Sequence, residues 1–319
     1  MSMEDKDIII QVEHLTKDYG HGRGVFDVSI VVHKGECFGY LGPNGAGKST
    51  TIRHIMGFSK PSKGKIELFG QETFGNTDKI LAKVGYLPGE PAIPSGLDGM
   101  GFLRMMQDMR GERNDERLNY LLNLFRLNPN ANVKEMSLGE KRKLAVVAAF
   151  MNDPDVLILD EPTSGLDPVM QQVFIHFIID EKKRGKTILL SSHIFSEVDA
   201  TCDTISIIKD GIHVSTFHAQ DLKEGDLATY RIRFRDLESA KKYHGTQNPA
   251  FEAVEINENR KIVTVKVKRS LYQEFFKSLR GFNVAEFSEK PFTLQEYFMS
   301  FYKEEKSFGG LSGVEGNTK

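Results

Sequence analysis

Residues 42–49, Gly-Pro-Asn-Gly-Ala-Gly-Lys-Ser, constrain the fold of this chain more than any other segment. They fit the pattern G-x-x-x-x-G-K-[ST], with an apolar run at 37–41 before it and a helical apolar pattern after it. Glycines let backbone N–H groups surround phosphates without side-chain clashes, and the start of the following helix adds partial positive charge. We therefore predict a nucleotide-binding loop. Lys48, expected to be exposed, would neutralise the β- and γ-phosphates, and the Ser49 hydroxyl would bind Mg²⁺.

Two adjacent carboxylates, Asp160 and Glu161, follow the apolar run 156–159. They come at the carboxyl end of a predicted buried strand, which is the edge where open α/β sheets bind ligands. We expect Asp160 to orient Mg²⁺ and its bound water, and Glu161 to act as the base for an attacking water. Taken alone, the pair also permits a simpler reading, in which one carboxylate caps the following turn.

The hydrophobic pattern divides the chain into three parts. Short β-branched runs alternate with helical stretches over 1–222, which is typical of an α/β fold with a mostly parallel sheet; a methionine-rich helical lobe at about 97–150 interrupts them. From 223 to 303, apolar and basic residues alternate with period two, which predicts a small α+β domain whose strands have one wet face. Glycines recur in 304–319, which we interpret as a flexible tail.

Composition excludes several classes of protein. The 319 residues carry 42 basic and 44 acidic side chains, a formal charge of −2, so there is no general electrostatic footprint for nucleic acid. The longest apolar run, 144–151, is far shorter than the roughly 18 residues of a membrane span. No apolar signal-peptide core opens the sequence, so we do not expect the chain itself to be exported from the cell. Two cysteines, Cys37 and Cys202, form no disulfide framework, which fits a reducing compartment.

Further motifs over 8–222 resemble those of the ATP-binding subunits of ATP-binding-cassette (ABC) transporters. Tyr19 matches the aromatic residue on which that family stacks adenine. Met-Ser-Leu-Gly-Glu at 136–140 stands where the family has its L-S-G-G-Q signature: Ser137 and Gly139 are retained, whereas Leu138 replaces the first glycine and Glu140 replaces the glutamine. Ser137 and Glu140 also have the spacing of a capping box. Both interpretations can hold, because a capped helix start is itself a site for anions.

Two more positions match the family pattern and one departs from it. Asp167 ends the Ser-Gly-Leu-Asp loop that crosses the dimer interface in the family, and His193 matches the histidine that contacts the γ-phosphate. The family usually has a glutamine that senses Mg²⁺ where this chain has Gly89, so the neighbouring Glu90 becomes a candidate metal contact. The nucleotide contacts implied by the phosphate loop and the resemblance are Tyr19, Gly42, Pro43, Asn44, Gly45, Ala46, Gly47, Lys48, Ser49, Thr50, Ser137, Gly139, Glu140 and Asp167. The implied catalytic residues are Glu161 and His193, and the implied metal ligands are Ser49, Asp160 and Glu90.

The resemblance implies a P-loop NTPase fold of the ABC type and a function. Two copies, or one copy and a paralogous ATPase subunit, would bind ATP and Mg²⁺ between them and drive export through a separate transmembrane permease. The chain would then be cytoplasmic and peripheral on the inner face of the cell membrane, with no nucleic acid partner. Residues 293–298, Thr-Leu-Gln-Glu-Tyr-Phe, are similar to those of drug and peptide-antibiotic export ATPases.

Other uses of the same cassette remain alternatives. A soluble ABC-type ATPase acting on ribosomes or nucleic acid is the second hypothesis, although this chain has one phosphate loop and no heptad run. A small-molecule P-loop kinase is disfavoured by the signature and the 164–167 loop. The methionine-rich lobe fits either a docking surface for a membrane subunit or a lobe that packs its own core. The domain at 223–303 is interpreted as a dimer-stabilising or regulatory module.

Overall fold

The computed structural model describes residues 8–224, 227–290 and 293–299. It divides the chain into two units, Met1–Ala219 and Gln220–Lys319, with the division three residues before the predicted one. The predicted tail, 304–319, lies outside the described residues. Among those that are described, no helix is both long and apolar enough to cross a membrane.

The first unit is built on a ten-stranded sheet, in the order β5-β4-β1-β2-β10-β9-β3-β8-β7-β6. From β9 to β6 neighbouring strands run parallel. On the other side of β9, β10 is antiparallel to β9 and parallel to β2, and β1, β2, β4 and β5 form an antiparallel part, so the sheet is mixed. The strands are β1 (Ile8–Asp18), β2 (Gly24–His33), β3 (Cys37–Leu41), β4 (Lys63–Leu68), β5 (Gln71–Glu72), β6 (Val84–Leu87), β7 (Val156–Asp160), β8 (Thr187–Ser192), β9 (Thr204–Lys209) and β10 (Ile212–His218).

The three central parallel strands carry the site. Every residue of β3, β7 and β8 is buried, as expected for strands covered on both faces. The loop after each of them leaves the same edge of the sheet, because the strands are parallel and adjacent. Cys37, at the start of β3, and Cys202 are both buried free thiols.

The helices of the first unit are α1 (Lys48–Ile55), α2 (Thr77–Lys83), α3 (Gly99–Arg110), α4 (Asp115–Leu124), α5 (Leu138–Phe150), α6 (Pro168–Lys183) and α7 (Phe195–Thr201), and α8 (Ala219–Glu224) follows at the boundary. The predicted lobe comprises α3, α4 and α5. Side chains of Asp98 and Asn114 cap α3 and α4. Phe102 and Leu103 are buried, whereas Met109 is 74% exposed, so the lobe both packs a core and presents an apolar surface.

The second unit contains a four-stranded antiparallel sheet in the order β12-β13-β11-β14. Its elements are β11 (Leu227–Phe234), α9 (Leu237–His244), β12 (Phe251–Asn257), β13 (Ile262–Lys268), α10 (Tyr272–Ser278) and β14 (Val284–Lys290). Tyr230, Ile232 and Phe234 of β11 are buried with the valines of β13, while the alternating arginines are exposed. The period-two pattern thus corresponds to an α+β unit with one wet sheet face.

Candidate active site

The phosphate loop connects β3 to α1 and depends on glycine at positions where no side chain fits. Gly47 has φ +106°, and a Cβ there would lie 2.7 Å from Val25 Cγ1. A Cβ at Gly42 would lie 2.4 Å from the Ile208 carbonyl oxygen. No side chain caps α1, and its first turn carries no acidic residue, so its N–H groups remain free to face an anion.

Lys48, the first residue of α1, is folded back against the loop. Its ammonium donates to the carbonyl oxygens of Gly42 at 2.7 Å and Pro43 at 3.0 Å, and forms an ion pair with Glu161 Oε1 at 2.9 Å. The residue is 5% exposed. The expectation that Lys48 is exposed is therefore wrong, because the loop carbonyls and a carboxylate from β7's far end cover its ammonium.

Glu161 follows β7 and has a backbone conformation that is unusual for a residue other than glycine. Its φ is +49°, a left-handed backbone that costs about 1–3 kcal/mol outside glycine. The backbone N–H donates to the carbonyl oxygen of Ser191, the next-to-last residue of β8, at 3.1 Å, which holds this turn. One carboxylate oxygen faces Lys48 and the other lies 2.7 Å from His193 Nδ1. The structure therefore brings Lys48, Glu161 and His193 together in one connected group.

Asp160, the last residue of β7, is buried beside this group. One oxygen, Oδ1, accepts a hydrogen bond from the Ser191 hydroxyl at 2.5 Å. The other, Oδ2, would be 3.0 Å from a Cβ at Gly89, so the glycine that departs from the family pattern leaves space next to this carboxylate. Hydroxyl and carboxylate oxygens are ligands that Mg²⁺ prefers, so Ser49 and Asp160 are chemically suited to it. Glu90 is exposed, on the segment that follows Gly89.

A cleft of about 350 Å³ lies over the phosphate loop. Tyr19, which is 50% exposed, lines it, and the Lys17 ammonium lies 5.8 Å from the Tyr19 ring centroid. An exposed ring at the edge of a phosphate-binding cleft is suited to stacking on a base. The lining residues are Tyr19, Gly22, Arg23, Gly24, Asn44, Gly45, Gly47, Lys48, Ser49, Thr50, Glu161 and Asp210. The sequence interpretation did not select Arg23 or Asp210, which belong to no motif.

The signature residues do not line this cleft. The Ser137 hydroxyl accepts from Glu140 N at 3.2 Å, and Glu140 Oε2 accepts from Ser137 N at 2.9 Å, so the predicted capping box of α5 is present. Asp167 likewise caps α6, accepting from Met170 N at 3.0 Å. A Cβ at Gly139 would lie 3.1 Å from the Gly165 carbonyl oxygen, so the signature and the 164–167 loop are neighbours. Within one copy, these predicted nucleotide contacts lie apart from the phosphate-loop cleft.

Arg142 of α5 is a residue that the sequence interpretation missed. It is buried and donates to the carbonyl oxygens of Pro88 at 2.7 Å, Ser164 at 3.1 Å and Glu161. Burial lowers the pKa of its guanidinium. Arg142 thus ties together three loops that reach the site from different parts of the chain. In the sequence, Arg142 stands between two lysines directly before the apolar run 144–150, and no motif marks it.

Comparisons with known proteins agree with this geometry. A family model described as ABC transporter matches residues 25–164. Bacitracin transport ATP-binding protein BcrA of Bacillus licheniformis is 37% identical over 237 residues, covering 73% of this chain and 77% of the relative. Nod factor export ATP-binding protein I of Cupriavidus pinatubonensis is 29% identical over 298 residues, covering 91% of this chain and 90% of the relative. A solved structure described as the ATP binding subunit of an ABC transporter has a TM-score of 0.63 at 31% identity, covering 68% of this chain and 92% of that one.

The phosphate-loop cleft on a mixed sheet, with a carboxylate that contacts both the loop lysine and a histidine, defines an ATP-hydrolysing P-loop protein. The chain belongs to the ABC transporter family, as one of its ATP-binding subunits.

Proposed function

We propose that this chain powers export: two copies bind two ATP between them and drive a separate membrane permease, from the cytoplasmic face of the cell membrane. The names of the relatives, a bacitracin transport protein and a Nod factor export protein, support transport and export. The proposal rests on the connected group Lys48–Glu161–His193, of which Lys48 and Glu161 line a cleft that the signature residues do not line.

Each residue of the site has its own role in ATP hydrolysis. The loop N–H groups and Lys48 bind the β- and γ-phosphates, which compete with Glu161 for the ammonium. Glu161, once released, accepts a proton from the attacking water, and His193 contacts the γ-phosphate. Ser49 and Asp160 would hold Mg²⁺, which neutralises charge on the phosphates, and Glu90 would add an oxygen from the neighbouring segment.

A second copy completes the site in this proposal. The start of α5 is open to solvent, and Leu138, next to Ser137, is 72% exposed. An exposed helix start that carries the signature-like residues Ser137 and Gly139 is suited to contact a γ-phosphate bound by another cassette. Dimerisation around ATP therefore supplies Ser137 and Gly139, with Asp167 on the adjacent loop, to the cleft of the partner.

A second cleft in the same unit is suited to the permease. It has a volume of about 480 Å³ and lies between α2, the segment after β6, and the helical lobe. Its wall includes Phe102, Met106 and Met109, adaptable apolar side chains that can hold a helix of a partner. The segment after β6 also carries Gly89, which adjoins Asp160. A partner bound in this cleft would therefore contact the segment that carries Gly89, and a movement of that segment would reach the Asp160 carboxylate next to it.

Affinity purification from detergent-solubilised membranes tests the proposal. We expect the full chain to retain a polytopic membrane protein, and Met109→Asp to lose it while keeping ATPase activity. Val254→Asp, an exposed apolar position in the second unit, is the matched control and should retain the partner. Recovery of ribosomes or nucleic acid in place of a membrane protein would contradict the proposal and favour the alternative.

A further inference from the structure

Glu197 is a buried carboxyl group that the proposed mechanism does not use. It lies on α7, four residues after His193, and is 2% exposed. The Thr201 hydroxyl donates to its carbonyl oxygen at 2.8 Å, within the same helix. Burying a carboxyl group costs free energy unless hydrogen bonds compensate for the loss of water. Its contacts therefore indicate what the residue does.

The principal contact of the Glu197 side chain is Ser192, the last residue of β8. The Ser192 hydroxyl donates to Glu197 Oε2 at 2.5 Å and accepts from Ile194 N at 2.9 Å. The carbonyl oxygen of Ser192 accepts from Gly42 N at 3.2 Å. Ser192 thus joins three groups: the carboxyl of Glu197, the peptide that follows His193, and the first residue of the phosphate loop.

The charges around Glu197 connect it to the same site. Burial raises the pKa of Glu197 to about 7, and the hydroxyls of Ser192 and, to a smaller extent, Thr163 oppose this effect. Glu161, which follows β7, raises the pKa further, whereas Arg142 of α5 lowers it. The two charged groups that act on Glu197 are therefore the proposed base and the arginine that holds the backbone of that base.

We infer that Glu197 is a positioning residue for ATP hydrolysis: it fixes Ser192 and, through Ser192, the backbone that presents His193 to the γ-phosphate. The inference rests on the proposed role of His193. A displacement of about 1 Å in a catalytic group can cost about 100-fold in rate. A hydrogen bond that holds both neighbours of His193 in one geometry is therefore enough to matter for turnover.

Steady-state ATPase kinetics of the full chain test this inference. Glu197→Ala should lower kcat about tenfold or more with less than about a threefold change in KM, because His193 acts on the reacting phosphate. Glu197→Gln should retain kcat within about threefold, since the amide oxygen still accepts from Ser192. Asp199→Asn, an exposed position on the same helix, is the matched control and should behave as the unmodified chain.

A double-mutant cycle makes the test specific to the Ser192 contact. Ser192→Ala should reproduce the loss seen in Glu197→Ala, and the double variant should be no slower than either, because both remove one interaction. If Glu197→Ala fails to fold, Ser192→Ala and Glu197→Gln carry the same comparison. Multiplicative losses, or a Glu197→Gln variant as slow as Glu197→Ala, would overturn the inference.

His193→Ala separates this inference from the proposed function. If His193→Ala leaves kcat unchanged, the proposed role of His193 is wrong and the inference falls with it. If His193→Ala lowers kcat while Glu197→Ala does not, the role of His193 stands and only the inference is wrong.

Discussion

Two helices of the first unit, α1 and α5, differ in whether a side chain caps the first N–H groups of the helix. No side chain caps α1, and its loop is enclosed by Lys48, Glu161 and other cleft residues. The start of α5 is capped by its own Ser137 and Glu140, and Leu138 beside it is exposed. The first start offers its N–H groups to a ligand inside one copy. The second satisfies part of its hydrogen bonding locally and lacks an enclosing wall, so it needs a partner to become a phosphate site.

This difference means that the chemistry and the dimer contact can be disrupted separately. Substitutions in the α1 cleft should change ATP binding or hydrolysis within each copy. Substitutions at the α5 start should leave ATP binding by a single copy intact and prevent assembly.

Glu161→Gln should lower turnover by about 10²–10⁴, the usual loss when a general base is removed. The amide has a similar size, so ATP binding should survive. Phosphate release at saturating ATP and nucleotide titration by calorimetry measure the two effects on the same sample. A turnover within about threefold of the unmodified chain would show that another group activates the water.

Lys48→Ala should weaken ATP binding by about 10²–10³-fold, because hydrogen bonds to charged groups contribute about 1.5–3 kcal/mol each. Isothermal titration calorimetry measures the affinity, and Lys65→Ala, an exposed lysine on β4, is the control. An unchanged affinity would mean that the loop is only a turn between β3 and α1.

Glu197→Gln should change how stability depends on pH. Burial raises the pKa of Glu197 from 4.5 to about 7. Between these values the native state binds more protons than the unfolded state, so this residue's contribution to stability falls as pH rises through that window and is constant above it. The loss is on the order of 3 kcal/mol.

Urea unfolding at about pH 5 and about pH 8 measures this contribution. We expect the free energy of unfolding of Glu197→Gln, relative to the unmodified chain, to increase between the two pH values. A difference that stays constant over this range would show that Glu197 titrates at its ordinary pKa.

Glu90→Ala should raise the Mg²⁺ concentration needed for half-maximal hydrolysis about tenfold, if Glu90 contributes an oxygen near the metal. Gly89→Gln, which restores the residue usual in the family, should have a smaller effect, although its Cβ would crowd Asp160 Oδ2 at 3.0 Å. Magnesium titrations of ATPase activity compare the two variants. If neither variant shifts the titration, Ser49 and Asp160 hold the metal without Glu90.

Local sequence patterns were sufficient for the parts of the site that lie within one turn or one strand. The phosphate loop and the α5 capping box depend on spacings of a few residues, and β3 coincides with the apolar run at 37–41. The arrangement around Arg142 could not be read in this way, because Arg142 and Pro88 are 54 residues apart in sequence. Lys48 was wrongly expected to be exposed for the same reason: its partner Glu161 arrives from a distant strand.

The oligomeric state of Glu161→Gln shows whether ATP joins two copies through the α5 start. With the base removed, bound ATP persists, and a ligand shifts an equilibrium toward the state that it prefers. Size-exclusion chromatography with light scattering, in Mg²⁺ and ATP, should show a dimer that disappears without nucleotide. Adding Ser137→Arg should give a monomer that still binds ATP. A variant ending near 222 should behave in the same way, which excludes assembly through the second unit. A Glu161→Gln chain that remains monomeric at saturating ATP, or that dimerises equally without it, would contradict the account.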